Sequence, residues 1–207
     1  MLARERELWA AGLAYVAGVD EVGVGPLAGP VVAAAVVLPQ DVAIDRVRDS
    51  KAVTARERDA LDSAIRQVAL GLAVAVVEPD DIDRLNIYQA SLRAMSLAVR
   101  GLPIAPHHVL VDGRTVPECP VEQTAVKGGD RLVYSIAAAS IVAKVHRDRL
   151  MRELDGLYPG YGFARHVGYS TAAHLEALRR LGPCAIHRRS FAPVRALLPG
   201  AGAPLTG

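Results

Sequence analysis

The sequence predicts a single α/β domain, a sheet of apolar strands with helices packed over it. Three observations carry that prediction. Short runs rich in valine and alanine, each closed by glycine, proline or an acid, alternate with longer segments of helical periodicity. A chain of 207 residues fits one domain. At 51% hydrophobic residues it can bury its own core without disulfides or a structural metal.

Residues 1–10 are charged and helical in character, unlike the apolar centre of a secretion signal. Residues 15–22 and 30–38 read as apolar strands parted by a glycine-rich turn. Thr54 with Glu57 three positions later is a capping-box pattern, which opens a helix over 55–68. Residues 70–77 form a strand ended by Glu78-Pro79. The spacing of Ile82, Leu85, Tyr88, Leu92, Met95 and Leu97 predicts one helix over 80–100, closed at Gly101-Leu102-Pro103. Residues 108–111 and 121–126 are further strands, running into Asp112-Gly113 and Lys127-Gly128-Gly129-Asp130. A long helix over 132–154 begins alanine-rich, which allows a neighbouring element to approach closely. After a loop over 158–168, Thr171 caps a helix that runs to Leu181. The Gly/Pro/Ala-rich stretch 196–207 is expected to be a disordered tail.

Composition excludes several classes. Cys119 and Cys184 lie far apart and form no CxxC pair, which argues against a disulfide framework or zinc site; reduced thiols suit a cytoplasmic protein. The longest apolar run, 31–38, is strand-sized, so no membrane span is expected. The net charge of +2 is indifferent to nucleic acid, but basic residues concentrate between Lys144 and Arg195, among them Arg147, Arg149, Arg165, Arg179, Arg180, Arg188 and Arg189. Such a segment either tracks a phosphate backbone or forms a solvated helical face.

Gly23-Val24-Gly25-Pro26-Leu27-Ala28 satisfies the glycine pattern of dinucleotide-binding folds. The chemistry around it argues otherwise. The following residues, from Pro30 through Leu38, are β-branched and open on a proline, so no helix N-terminus is offered to a pyrophosphate. Asp20 and Glu21 stand just ahead of the loop and would repel phosphate unless a cation intervened.

With a cation the acids make sense. Asp20 and Glu21 close one apolar strand, Asp112 a second, and Asp130 follows a third. Neighbouring strand residues face opposite ways, but where the strand twists into a turn both can reach one site. Four acids from three strand ends can converge into a hard oxygen cage suited to Mg²⁺ or Mn²⁺. Singly, each is as well explained as an aspartate capping a loop.

Longer segments discriminate further. They are Gly18-Val19-Asp20-Glu21-Val22-Gly23, Gly25-Pro26-Leu27-Ala28-Gly29-Pro30, Asp49-Ser50-Lys51, Val111-Asp112-Gly113 and Lys127-Gly128-Gly129-Asp130, followed by the run from Ser135 to Lys144, Arg147-Asp148-Arg149, Tyr158-Pro159-Gly160-Tyr161, Gly168-Tyr169 and Ile186-His187-Arg188-Arg189. In content and order the chain resembles ribonuclease HII over residues 15–195. The resemblance implies a ribonuclease H-like mixed sheet flanked by helices, with a C-terminal helical extension, in a catalytic domain over 1–195. It implies an endonuclease that cuts the RNA strand of RNA/DNA hybrids. It implies cleavage 5′ of ribonucleotides embedded in duplex DNA as well, leaving 3′-hydroxyl and 5′-phosphate ends, in support of ribonucleotide removal. Asp20, Glu21, Asp112 and Asp130 would be the catalytic ligands of Mn²⁺ or Mg²⁺, with Asp130 serving mainly a second ion. Lys51 would contact a phosphate, and Tyr169 would stack on the sugar at the junction. The backbone of Gly23, Val24 and Gly25 would read the 2′-hydroxyl, the group that distinguishes RNA from DNA.

Departures from the family pattern carry expectations of their own. Val24 stands where arginine is usual, which predicts a weakened or altered preference for single embedded ribonucleotides. The related ribonuclease HIII family also lacks that arginine, but the Pro26-Leu27-Ala28-Gly29 continuation and the absence of a long N-terminal substrate-binding domain favour HII. Val167 replaces a frequent lysine, and Tyr134 occupies a position where a small residue is expected. Asp148 reads as a helix ion-pair residue, while His187, Arg188 and Arg189 fit either a structural role or a phosphate contact. No clamp-binding peptide is evident in 196–207, which suits a monomer acting alone.

Overall fold

The computed structural model describes residues 1–42, 44–47 and 54–199. Lys51, expected to meet phosphate, lies outside the described residues, as does the stretch 200–207 of the expected tail. In chain order the elements are α1 (Ala3–Ala10), β1 (Val16–Val22), β2 (Val31–Val37), α2 (Ala55–Val68), β3 (Gly71–Val77), α3 (Pro79–Leu85), α4 (Ile87–Arg100), β4 (His108–Asp112), β5 (Gln123–Val126), α5 (Gly129–Leu132), α6 (Tyr134–Leu157), α7 (Phe163–His166), α8 (Ala172–Leu181) and α9 (Ala192–Arg195).

The strands form one mixed sheet in the order β3-β2-β1-β4-β5. β1, β2 and β3 are antiparallel neighbours. β4 and β5 join parallel to β1. Helices cover both faces. On β2 the alternation of the pleat sends Val31, Ala33, Ala35 and Val37 into a core with Ala94, Met95 and Ala98 of α4. It sends Val32, Ala34 and Val36 into a second core with Ala138, Ile141 and Val142 of α6 and Ile65 of α2. Burial on both faces explains why β2 is an unbroken apolar run rather than an alternating one.

The alanine-rich start of α6 does bring a neighbour close. A Cβ added to Gly18 of β1 would stand 2.1 Å from the Ser135 carbonyl carbon and 2.3 Å from the Ile136 nitrogen. Only glycine permits this crossing of strand and helix. The buried Glu5 of α1 accepts the Ser135 N–H at 2.8 Å and its hydroxyl at 3.0 Å, which satisfies one N–H of the first turn of α6.

Several sequence boundaries shift. The helix expected over 80–100 is two helices, because Asn86 takes φ +69 and caps α4 by accepting the Gln89 N–H at 3.1 Å. Apolar spacing runs through the break unchanged, so periodicity alone concealed it. β5 begins at Gln123 rather than 121. The long helix is preceded by the four-residue α5, and the loop over 158–168 contains α7. The capping box of Thr54 and Glu57 forms as read, and Thr171 caps α8 through the His174 N–H. Residues 196–198 continue from α9 in hydrogen-bonded turns. Among the described residues no helix is long and apolar enough to cross a membrane.

Candidate active site

Three parallel strands place the acids. β1 carries Asp20 and Glu21, its neighbour β4 ends on Asp112, and Asp130 lies in α5 just beyond the end of β5. The structure brings all four to one cleft of about 350 Å³, also lined by Ser140 and Lys144 of α6 and Arg58 of α2. Asp112 Oδ1 accepts the Gly129 N–H at 2.6 Å, which ties the end of β4 to the segment bearing Asp130. Asp20 Oδ1 accepts the Glu21 N–H at 2.8 Å, and the Ser140 hydroxyl donates to the same carboxylate. Arg58 and Ser140 escaped the sequence reading, which took neither for a cleft residue.

Electrostatics in the cleft are adverse to bare carboxylates. Burial, then the neighbouring charges of Glu21 and Asp112, hold the Asp20 carboxyl well above its usual range, against hydrogen bonds from Ser140 and the Glu21 backbone that act the other way. Burial and Asp112 raise Glu21 in the same sense. The Glu21 Oε2 atom is buried without a hydrogen-bond partner. Two crowded acids, one with an orphaned oxygen, form a donor set that a hard divalent cation would stabilise. Among the described residues no three acids, histidines or cysteines stand as a closed cage, so the carboxylates would have to draw together around an ion. The oxygen chemistry fits.

The glycine loop follows directly on β1. Its backbone is held from behind by two fully buried arginines. Arg188 donates to the carbonyls of Gly29 at 2.8 Å, Val24 at 3.1 Å and Gly23 at 2.6 Å. Arg147 donates to Pro30 at 2.9 Å, Ala28 at 3.1 Å and Val167 at 2.9 Å. Burial pushes Arg188 down to about 9 and Arg147 to about 10, so both remain cationic at neutral pH. Gly23 takes φ +93, and a Cβ there would meet the Arg147 Nε at 2.3 Å.

These contacts correct the reading of the basic C-terminal segment. Arg147 and Arg188 are wholly enclosed and spend their donors on loop carbonyls, so neither can track a phosphate backbone. His187 is equally buried. Arg149 is engaged with Asp59 and Asp62 of α2, and Lys144 pairs with Asp148 at 2.6 Å, in keeping with Asp148 as an ion-pair residue. Nothing in the sequence marks the buried arginines, since Arg147 stands in the charged run Lys144-Val145-His146-Arg147-Asp148-Arg149 of α6.

Tyr169 is half-exposed beside the loop, its Cε1 3.4 Å from where a Gly25 Cβ would stand. The Leu27 N–H donates to the Gly168 carbonyl at 2.8 Å, which locks the loop to the segment bearing Tyr169. Val24 exposes its side chain while its carbonyl stays in the Arg188 brace. Val167, the other departure, adopts φ +43, uncommon for a β-branched residue, with its carbonyl fixed by Arg147. Tyr134 is accounted for by its hydroxyl, which donates to the Ile44 carbonyl at 3.0 Å.

A mixed five-stranded sheet carrying carboxylates at adjacent strand ends, with helices on both faces, defines an α/β protein with a polar acidic cleft. The model of the family described as Ribonuclease HII matches residues 17–194, and the chain belongs to that family. A ribonuclease HII of Anaeromyxobacter sp. (strain Fw109-5) is 56% identical over 96% of this chain, which spans 63% of that relative's length. One of Myxococcus xanthus (strain DK1622) is 55% identical over 96% of this chain and 68% of its own. Among solved structures, the ribonuclease H2 of Pyrococcus horikoshii OT3 superposes with a TM-score of 0.75 at 28% identity, covering 88% of this chain and 96% of that one. The ribonuclease H-like fold with C-terminal helices expected from sequence is the fold found.

Proposed function

We propose that this chain is an endonuclease that hydrolyses the RNA strand of RNA/DNA hybrids and cuts 5′ of ribonucleotides embedded in duplex DNA. The observation that carries the reading is the continuity of Asp20 and Glu21 on β1 with the Gly23–Gly25 loop. Acids suited to phosphodiester hydrolysis thus lie a few residues from backbone suited to inspecting a sugar. Asp20, Glu21, Asp112 and Asp130 would hold Mn²⁺ or Mg²⁺, which when bound supplies activation of water and stabilisation of the leaving oxygen.

The protein's own groups do the rest. Ser140 holds the Asp20 carboxylate, and Asp112 is oriented by the Gly129 N–H. The braced loop presents N–H and C=O groups of Gly23, Val24 and Gly25 to a 2′-hydroxyl, with little side-chain bulk to hold the sugar off. Tyr169 offers a ring face to the sugar step next to it. These contacts read sugar and backbone rather than base edges, so cleavage is independent of base sequence. With Val24 in the loop, preference shifts from a lone ribonucleotide toward longer RNA tracts. The enzyme acts as a monomer in the cytoplasm, removing ribonucleotides from DNA, with Lys51 reaching a phosphate.

A titration of Mn²⁺ and Mg²⁺ against a duplex containing ribonucleotides tests the reading. Metal-dependent cleavage that leaves 3′-hydroxyl ends is expected. Cleavage that persists in EDTA, or none with either ion, overturns it. Thermal stabilisation by a nicotinamide or flavin dinucleotide in place of the divalent ions would restore the dinucleotide-binding alternative.

A further inference from the structure

Tyr169 is held from behind by a relay of hydrogen bonds through two buried histidines. The Cys184 backbone N–H donates to His187 Nδ1 at 3.0 Å, so that nitrogen is the unprotonated acceptor. The proton of a neutral His187 therefore sits on Nε2, which lies 3.1 Å from His174 Nε2. His174 must accept there, which leaves its own proton on Nδ1, 2.8 Å from the Tyr169 carbonyl oxygen. One backbone N–H thus fixes the tautomers of both rings, and the relay ends on the residue whose ring stands against the glycine loop.

The surroundings favour neutral rings. Both imidazoles are buried, and burial pushes His187 down to about 4 and lowers His174. His166 stacks on His174 with centroids 4.4 Å apart. The Cys184 thiol lies 3.1 Å from His187 Nδ1, and the Tyr161 ring is 5.1 Å from the His187 ring. A proton added to His174 would set two N–H groups against one another across the contact between the rings, and one added to His187 would set its Nδ1 against the Cys184 N–H. His187 is also the chain neighbour of Arg188, which braces Gly23, Val24 and Gly29. Both halves of the surface facing a sugar therefore hang from one dipeptide.

We propose that His174 and His187 are positioning residues for ribonucleotide recognition, fixing Tyr169 relative to the Gly23–Gly25 loop through a defined pair of tautomers. The role rests on the proposed nuclease activity, but its structural half can be read without substrate. Imidazole ¹⁵N spectra of the wild-type protein at pH 7 are expected to show His174 protonated on Nδ1 and His187 on Nε2, both neutral. The opposite tautomer at either ring, or a charged ring, overturns the relay.

Two substitutions then separate positioning from packing. In His174→Asn the side-chain amide can stand in for the Nδ1–H donor, whereas in His174→Gln it reaches only toward the Nε2 position. On a duplex with a single ribonucleotide, His174→Gln is expected to lose about five- to tenfold in kcat/KM, and His174→Asn to stay within about twofold of wild type. In a Tyr169→Ala background the Gln substitution should add no further loss. Equal losses for Asn and Gln, or a loss that adds in full to that of Tyr169→Ala, overturn the positioning role. A wild-type protein that cuts no ribonucleotide-containing duplex at all sinks the nuclease reading, and the role with it, while leaving the tautomers intact.

Discussion

The Gly129 N–H donates to Asp112 Oδ1 at 2.6 Å, so one carboxylate both faces the cleft and anchors the segment that carries Asp130. An asparagine at 112 can still accept that bond through its amide oxygen. Asp112→Asn is therefore expected to fold with a melting temperature close to wild type while losing more than about 100-fold in metal-dependent cleavage. Full nuclease activity in Mg²⁺ for this variant would remove Asp112 from the site.

Asp20 is a buried acid beside two others, and its ionised form is disfavoured in the fold. The sign follows from linkage. A carboxyl with a raised folded-state pKa contributes stability that is fully present below its unfolded value of 3.8 and is lost as pH rises through the folded value. At neutral pH in EDTA, Asp20→Asn removes the cost of that buried charge. Its melting temperature should exceed wild type by roughly 2–4 °C for each ~1 kcal/mol relieved. The gap should close near pH 4, as scanning calorimetry can check; a lower melting temperature at neutral pH would contradict the electrostatic picture.

His187 gives the opposite dependence. Its folded-state value of about 4 lies below the usual 6.5, so its contribution is complete above 6.5 and is lost as pH falls from there toward 4. Urea denaturation across this range should show wild type losing stability faster than His187→Asn. Parallel profiles would mean that His187 takes up a proton in the native state without penalty.

Arg188 leaves three loop carbonyls without its guanidinium if it is replaced. Lysine offers a point charge without the planar fork of donors. Arg188→Lys is expected to cost about 2–4 kcal/mol in urea denaturation and to lower discrimination between ribonucleotide and deoxyribonucleotide. An unchanged midpoint would show that water takes over the brace.

Val24 exposes its side chain while its carbonyl remains bonded to Arg188, so a longer residue there need not disturb the loop. Val24→Arg is expected to raise cleavage at one embedded ribonucleotide relative to a tract of four. Rates of wild type and variant on both duplexes make the comparison, and equal rates in all four combinations would end the idea that position 24 tunes preference.

The sequence by itself determined the strands, the capped helices and the four acids. Each is a local property: apolar runs closed by turn residues, Thr54 with Glu57, Thr171, and carboxylates at strand ends. It also exposed Val24 as a departure, because the resemblance to ribonuclease HII sets arginine as the usual residue between the two glycines. What only the tertiary structure decided is the use made of the basic residues. Arg147 and Arg188 look like surface charge when written in a line, yet they are enclosed because their partners are backbone carbonyls some 120 to 165 positions away. The break at Asn86 was hidden for a related reason, since helical periodicity passes through a residue whose φ reverses. The tautomers of His174 and His187 likewise depend on a single N–H from Cys184 and on the contact between the two rings, which is made only when α8 and the segment after it pack together.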